Sequence, residues 1–69
     1  MAIHLKAARV NAGYTQEEVV EELRKQGCKI SKNTIISYEA YRTIPDIETA
    51  VRLARLYRMS VDDIIFFTE

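Results

Sequence analysis

Helix-start signals recur along this chain at Thr15, Ser31, Asp46 and Ser60, each followed by apolar residues at helical spacing. A Ser, Thr or Asp side chain there accepts a hydrogen bond from an unpaired amide of the first helical turn, so the residue type marks where a helix opens. Thr15-Gln16-Glu17-Glu18 is a capping box, in which the Thr15 hydroxyl and the Glu18 carboxylate satisfy each other's backbone amides. Tyr14 with Val19, and Ile30 with Ile35, bracket the caps at Thr15 and Ser31 as hydrophobic staples. Gly13 and Gly27 supply the stops of the first two helices. Strand-type alternation bounded by turn residues is absent.

The expected architecture is all-α, a compact bundle of five short helices forming one domain over residues 1–69. The first helix spans Ile3 to about Ala12, with Leu5, Ala8 and Ala12 on one face. The second runs from Thr15 to Gln26 and buries Val19, Val20 and Leu23; the third runs from Ser31 to about Ala40 and buries Ile35 and Tyr38. A loop over 41–45 leads into a fourth helix after Asp46. That helix is expected to turn Ile47, Ala50, Val51, Ala54 and Tyr57 inward and Arg52, Arg55 and Arg58 outward. Ser60-Val61-Asp62-Asp63 opens a last short helix through Phe67. Ile65, Phe66 and Phe67 cannot all face inward on one helix, so at least one is a candidate contact in a homodimer.

A 69-residue chain has little core to spare and often needs a staple. One cysteine, Cys28, excludes an internal disulfide, and His4 with Cys28 cannot make a four-ligand zinc site. No metal or cofactor is expected; helix packing and self-association remain. No apolar run approaches the ~20 residues of a membrane span, and the start lacks the apolar stretch of a secretory signal. The expected location is the cytoplasm, away from membranes, with Cys28 a free thiol.

Ten basic and ten acidic residues cancel, which by itself argues mildly against nucleic acid. The distribution is more informative. Residues 15–23 hold four acids and no base, whereas 24–38 hold Arg24, Lys25, Lys29 and Lys32 and no acid. A locally basic face suits an anionic partner. Two helices joined by the tight turn from Gly27 to Ile30 make a helix-turn-helix over about 15–40. On the third helix Lys32, Asn33 and Ser37 lie away from Ile35 and Tyr38. In a major groove Asn pairs with adenine, Lys with guanine and Ser with either. The helix start at Ser31 also offers free amides to a phosphate.

From Leu5 to Ile65 the chain resembles the lambda repressor and Cro-like (XRE-type) helix-turn-helix regulators of phages and bacteria. The matching residues are Leu5-Lys6-Ala7-Ala8-Arg9, Tyr14-Thr15-Gln16-Glu17-Glu18-Val19 and Ser31-Lys32-Asn33-Thr34-Ile35. Glu39, Pro45, Ile47, Glu48, Ala54 and Ser60-Val61-Asp62-Asp63-Ile64 continue the match in order. The resemblance implies a sequence-specific regulator of transcription on double-stranded DNA, of phage or mobile-element repressor type. It implies base reading by Lys32, Asn33 and Ser37; Ile36, which departs from the pattern, is open to meeting a thymine methyl or to marking a protein-facing surface. It implies phosphate contacts from Gln16, Arg42 and Thr43, with Gln16 also bracing the reading helix, and a structural ion pair between Arg9 and Glu39. Ser31 and Thr34 at the helix start are further phosphate candidates, and Tyr41 is open to packing on the core or to bonding a phosphate. Where the family pattern carries glycine, this chain has Arg24, Ala40-Tyr41 and Arg58, and Val20 stands where the pattern has alanine.

One other function stands beside that one. Lys32, Asn33 and Ser37 also fit a plain solvated face, and the zero net charge, Ile36, Tyr41 and the apolar end suit an adaptor or antirepressor that binds a regulatory protein instead of DNA. Catalysis is not expected: Asp62 and Asp63 read as helix-cap acids with no nucleophile or general base around them.

Overall fold

The structure, a computed structural model, describes residues 1–68. Its elements in chain order are β1 (Ile3–His4), α1 (Leu5–Asn11), α2 (Gln16–Lys25), α3 (Lys32–Glu39), α4 (Ile47–Leu56), a 3₁₀ turn (Val61–Asp63) and β2 (Ile64–Ile65). Three helices start as their residues dictate. Thr15 and Glu18 close the capping box on α2, Ser31 accepts from the Thr34 amide at α3, and Asp46 accepts from the Thr49 amide at α4.

All four helices end alike. After each last turn one residue takes a positive φ and two backwards hydrogen bonds close the carbonyl end, the Schellman arrangement. Gly13 (φ 85°) and Gly27 (φ 80°) do this after α1 and α2. Tyr41 (φ 60°) and Arg58 (φ 59°) do it after α3 and α4, at or beside the positions where the family pattern has glycine. At α3 the Tyr41 and Arg42 amides return to the Tyr38 and Ser37 carbonyls at 3.2 and 2.9 Å. At α4 the Arg58 and Met59 amides return to Arg55 and Ala54 at 3.1 and 2.9 Å.

The bundle has four α-helices among the described residues, not five. Ser60 caps as expected but bonds to the Asp62 amide two residues on, closing only a 3₁₀ turn, after which Ile64 is extended. Two β-branched residues favour that conformation. A partner strand is also at hand, because the start of the chain pairs in parallel with it, Ile3 opposite Ile64 and His4 opposite Ile65. The expected first helix accordingly loses Ile3 and His4 to β1. Two-residue strands are too short to show an alternation in sequence.

Extended geometry resolves the crowding of Ile64-Ile65-Phe66-Phe67, since alternate residues point to opposite sides. Ile64 and Phe66 enter the core, Ile65 is half-buried, and Phe67 stays 60% exposed. Phe66 is therefore corrected from candidate dimer contact to core residue. The same core holds Leu5, Ala8, Val19, Leu23, Ile35 and Tyr38, and from α4 Ala50, Leu53, Ala54 and Tyr57. Fully burying each large side chain contributes about 1.5–3 kcal/mol. Ile47, expected inward, is 73% exposed: it is the first residue of α4, one turn ahead of the buried stripe that starts at Thr49 and Ala50. No helix here is long and apolar enough to cross a membrane, among the described residues.

Candidate nucleic-acid interface

The C-terminal end of α3 is locked. Arg9, on α1, grips both carboxylate oxygens of Glu39, with Nε to Oε2 at 2.7 Å and Nη2 to Oε1 at 3.2 Å. Its remaining nitrogen, Nη1, donates to the Tyr14 carbonyl at 2.9 Å. From the first residue of α2, Gln16 Nε2 also donates to Glu39 Oε1, at 3.1 Å. One carboxylate thus joins three helices. The two charged side chains are only 10% and 7% exposed, and Glu39 holds the Arg9 guanidinium above its usual pKa. Replacing such a pair by hydrophobes is often neutral, but removing one member strands the other, so the pair fixes orientation more than it adds stability.

The N-terminal end of α3 is open. Ser31, Lys32 and Asn33 are exposed, and Thr34, Ile36 and Ser37 are half-buried. Their surface divides into two flanks. Asn33 and Ser37 share a shallow recess of about 340 Å³ with Thr43 and Ile44 from the loop before α4. Ile36 faces the other way, into a recess of about 540 Å³ lined by Lys6, Thr15, Gln16, Glu17 and Ala40. Lys32 leans to that second side, its Nζ 2.9 Å from the Glu17 carboxylate. Eight residues of α3 span roughly 12 Å at 1.5 Å per residue, and a major groove about 12 Å wide accepts a helix of that kind.

The residues expected at phosphates fare unequally. Arg42 and Thr43 are exposed beside the Asn33 flank, and Arg42 forms no salt bridge among the described residues. The Ser31 and Thr34 hydroxyls lie 3.1 Å apart within the cap. Gln16 lines the Ile36 recess, although its amide is already engaged as the brace. Tyr41 is turned the other way. Its hydroxyl meets His4 Nδ1 and the Ile65 carbonyl, because the left-handed φ after α3 swings the ring towards the paired strands. That hydroxyl serves the fold here, the packing alternative of the two roles open to Tyr41.

Two side chains escaped the sequence reasoning. Lys6 follows the buried Leu5 and reaches the Ile36 recess; Glu17 lies among cap-region acids and binds Lys32. The available signal was charge sign alone, an acid block preceding a basic one.

A helix-turn-helix family model matches residues 5–64. Over 58 residues the chain is 41% identical to the HTH-type transcriptional regulator ImmR of Bacillus subtilis (strain 168), covering 84% of this chain and 42% of that protein. It thus spans less than half the relative's length. No solved structure matches it. With the family pattern running through nearly all of the described fold, from the buried Leu5 to the buried Ile64, this chain belongs to the helix-turn-helix family of the lambda repressor and Cro type.

Proposed function

We propose that this chain is a sequence-specific double-stranded-DNA-binding unit of a transcriptional regulator, of phage or mobile-element repressor type. The observation that carries this reading is the contrast along α3, whose last turn is held by Arg9, Glu39 and Gln16 while its first turn is presented outward. A rigid base and a free hydrophilic edge are what groove reading requires, because side chains must meet base edges without the helix drifting. Asn33 and Ser37 are assigned to base edges on one flank, Lys32 and Ile36 on the other. Arg42 and Thr43 are assigned to the phosphate backbone, with Ser31, Thr34 and Gln16 along the helix starts. The relative's printed name, a transcriptional regulator, supports the same reading.

The unit acts as a homodimer, with two α3 helices about 34 Å apart in successive major grooves of a near-palindromic site. Exposed Phe67 and half-buried Ile65 are the residues assigned to that contact. The deciding experiment is selection of bound sequences from a random duplex library, followed by titration at several salt concentrations. A recurring near-palindrome, bound tightly and with steep salt dependence, is expected. A library emerging without enrichment, alongside a co-purifying protein partner, would favour the adaptor function instead, for which exposed Ile44, Ile47 and Phe67 offer surface.

A further inference from the structure

Lys32 is the first residue of α3, at the end where a helix dipole is positive and a cation is disfavoured. No acid stands in the first turn of α3 to offset it. The compensation comes from another helix. Glu17, in the first turn of α2 where an acid is favoured, accepts from Lys32 Nζ at 2.9 Å across the turn between the helices. The side chains are 49% and 67% exposed, so as a staple the pair contributes little. Lys32 nevertheless keeps the Glu17 carboxyl below the usual carboxylate range, and Arg9 adds to the effect. A cation at the wrong end of a helix, compensated by a weak exposed pair, is a local rule broken at the edge assigned to DNA, and such breaks fall at functional positions.

We propose that Glu17 is a specificity-determining residue that acts through Lys32, an inference resting on the DNA-reading function above. In the free protein the carboxylate occupies the ammonium. On a duplex of arbitrary sequence, Lys32 can reach a phosphate only by leaving Glu17 unpaired beside a polyanion, so the gain in attraction is largely cancelled. On a site that offers guanine O6 and N7, which carry no net charge, the ammonium's other N–H groups can donate to the base while Glu17 stays paired. Glu17 therefore weakens indiscriminate binding more than correct binding. It also accounts for a neutral chain having a reading edge, since the acid block of α2 trims the attraction of the basic block that follows.

The test titrates the wild type, Glu17→Gln, Lys32→Gln and the double variant with the selected duplex and with a scrambled duplex of equal length, at low and physiological salt. Both positions are exposed, and circular dichroism melting checks that each variant folds. Glu17→Gln is expected to tighten binding to the scrambled duplex by about threefold or more and to steepen its salt dependence by about one ion. Binding to the selected duplex should tighten less, so the ratio between them narrows. In the Lys32→Gln background, removing Glu17 should leave that ratio unchanged. An equal gain on both duplexes, or a narrowing that persists without Lys32, overturns the proposal while leaving DNA reading intact. A wild type that fails to distinguish the duplexes overturns both.

Discussion

The two ends of α3 are built on opposite principles. At its end, Glu39 is nearly buried and shared between Arg9 and Gln16. At its start, Lys32 and Asn33 stand in solvent, and the polar ties there among the described residues are the cap at Ser31 and the exposed bridge to Glu17. One end spends interactions on holding still; the other withholds them for a partner. Substitutions at the two ends should therefore fail differently, one in folding and the other in recognition.

The largest effect is expected at the locked end. Glu39→Ala strands the guanidinium of Arg9 in a nearly buried site and should destabilise the fold by about 3 kcal/mol, read as a lower midpoint in urea at unchanged slope. Replacing both partners, Arg9→Met with Glu39→Leu, should recover much of that loss, since the pair's desolvation is removed with it. A mild Glu39→Ala phenotype would mean that the end of α3 is held by packing alone, and the contrast would disappear.

At the open end the order reverses. Asn33→Ala should leave stability within about 0.5 kcal/mol, as expected of an exposed position, yet cost roughly 1–3 kcal/mol of discrimination at one base pair. Arg42→Ala, in the loop beside it, should weaken all duplexes alike and flatten the salt dependence by about one ion. Side-by-side titrations of the two variants sharpen the division between reading and positioning.

The smallest effect concerns how helices end. Gly13 and Gly27 take a positive φ freely, while Tyr41 and Arg58 take it with a side chain attached. Exposed Arg58 has no hydrogen bond from its side chain among the described residues, so Arg58→Gly should gain about 0.5–1 kcal/mol, the released strain less the added entropy of the unfolded chain. Tyr41→Gly should gain less, because the phenol's contacts with His4 and the Ile65 carbonyl go with it. Thermal melting ranks the two.

Much of this was written in local chemistry. Thr15, Ser31 and Asp46 place three helix starts, and the buried positions of α2 and α3 follow from spacing because one face of each must enter a small core. The last segment was illegible for a reason of the same kind. Whether Ile64-Ile65-Phe66-Phe67 coils or extends depends on a strand partner more than fifty residues away, and two paired residues carry no periodicity. Within the site, the Arg9–Glu39 pair was visible through family resemblance, and residue type marked Asn33 and Ser37. The turning away of Tyr41 and the grip of Glu17 on Lys32 depend on how one helix end sits against another, which side-chain type does not encode.

Backbone amide shifts of the isotope-labelled chain, followed as the selected duplex is added, locate the surface that meets DNA. The largest changes are expected at Lys32, Asn33, Ile36 and Ser37, with Arg42 and Thr43 beside them. Changes centred on Ile47 and Phe67, with the first turns of α3 unmoved, would contradict that placement.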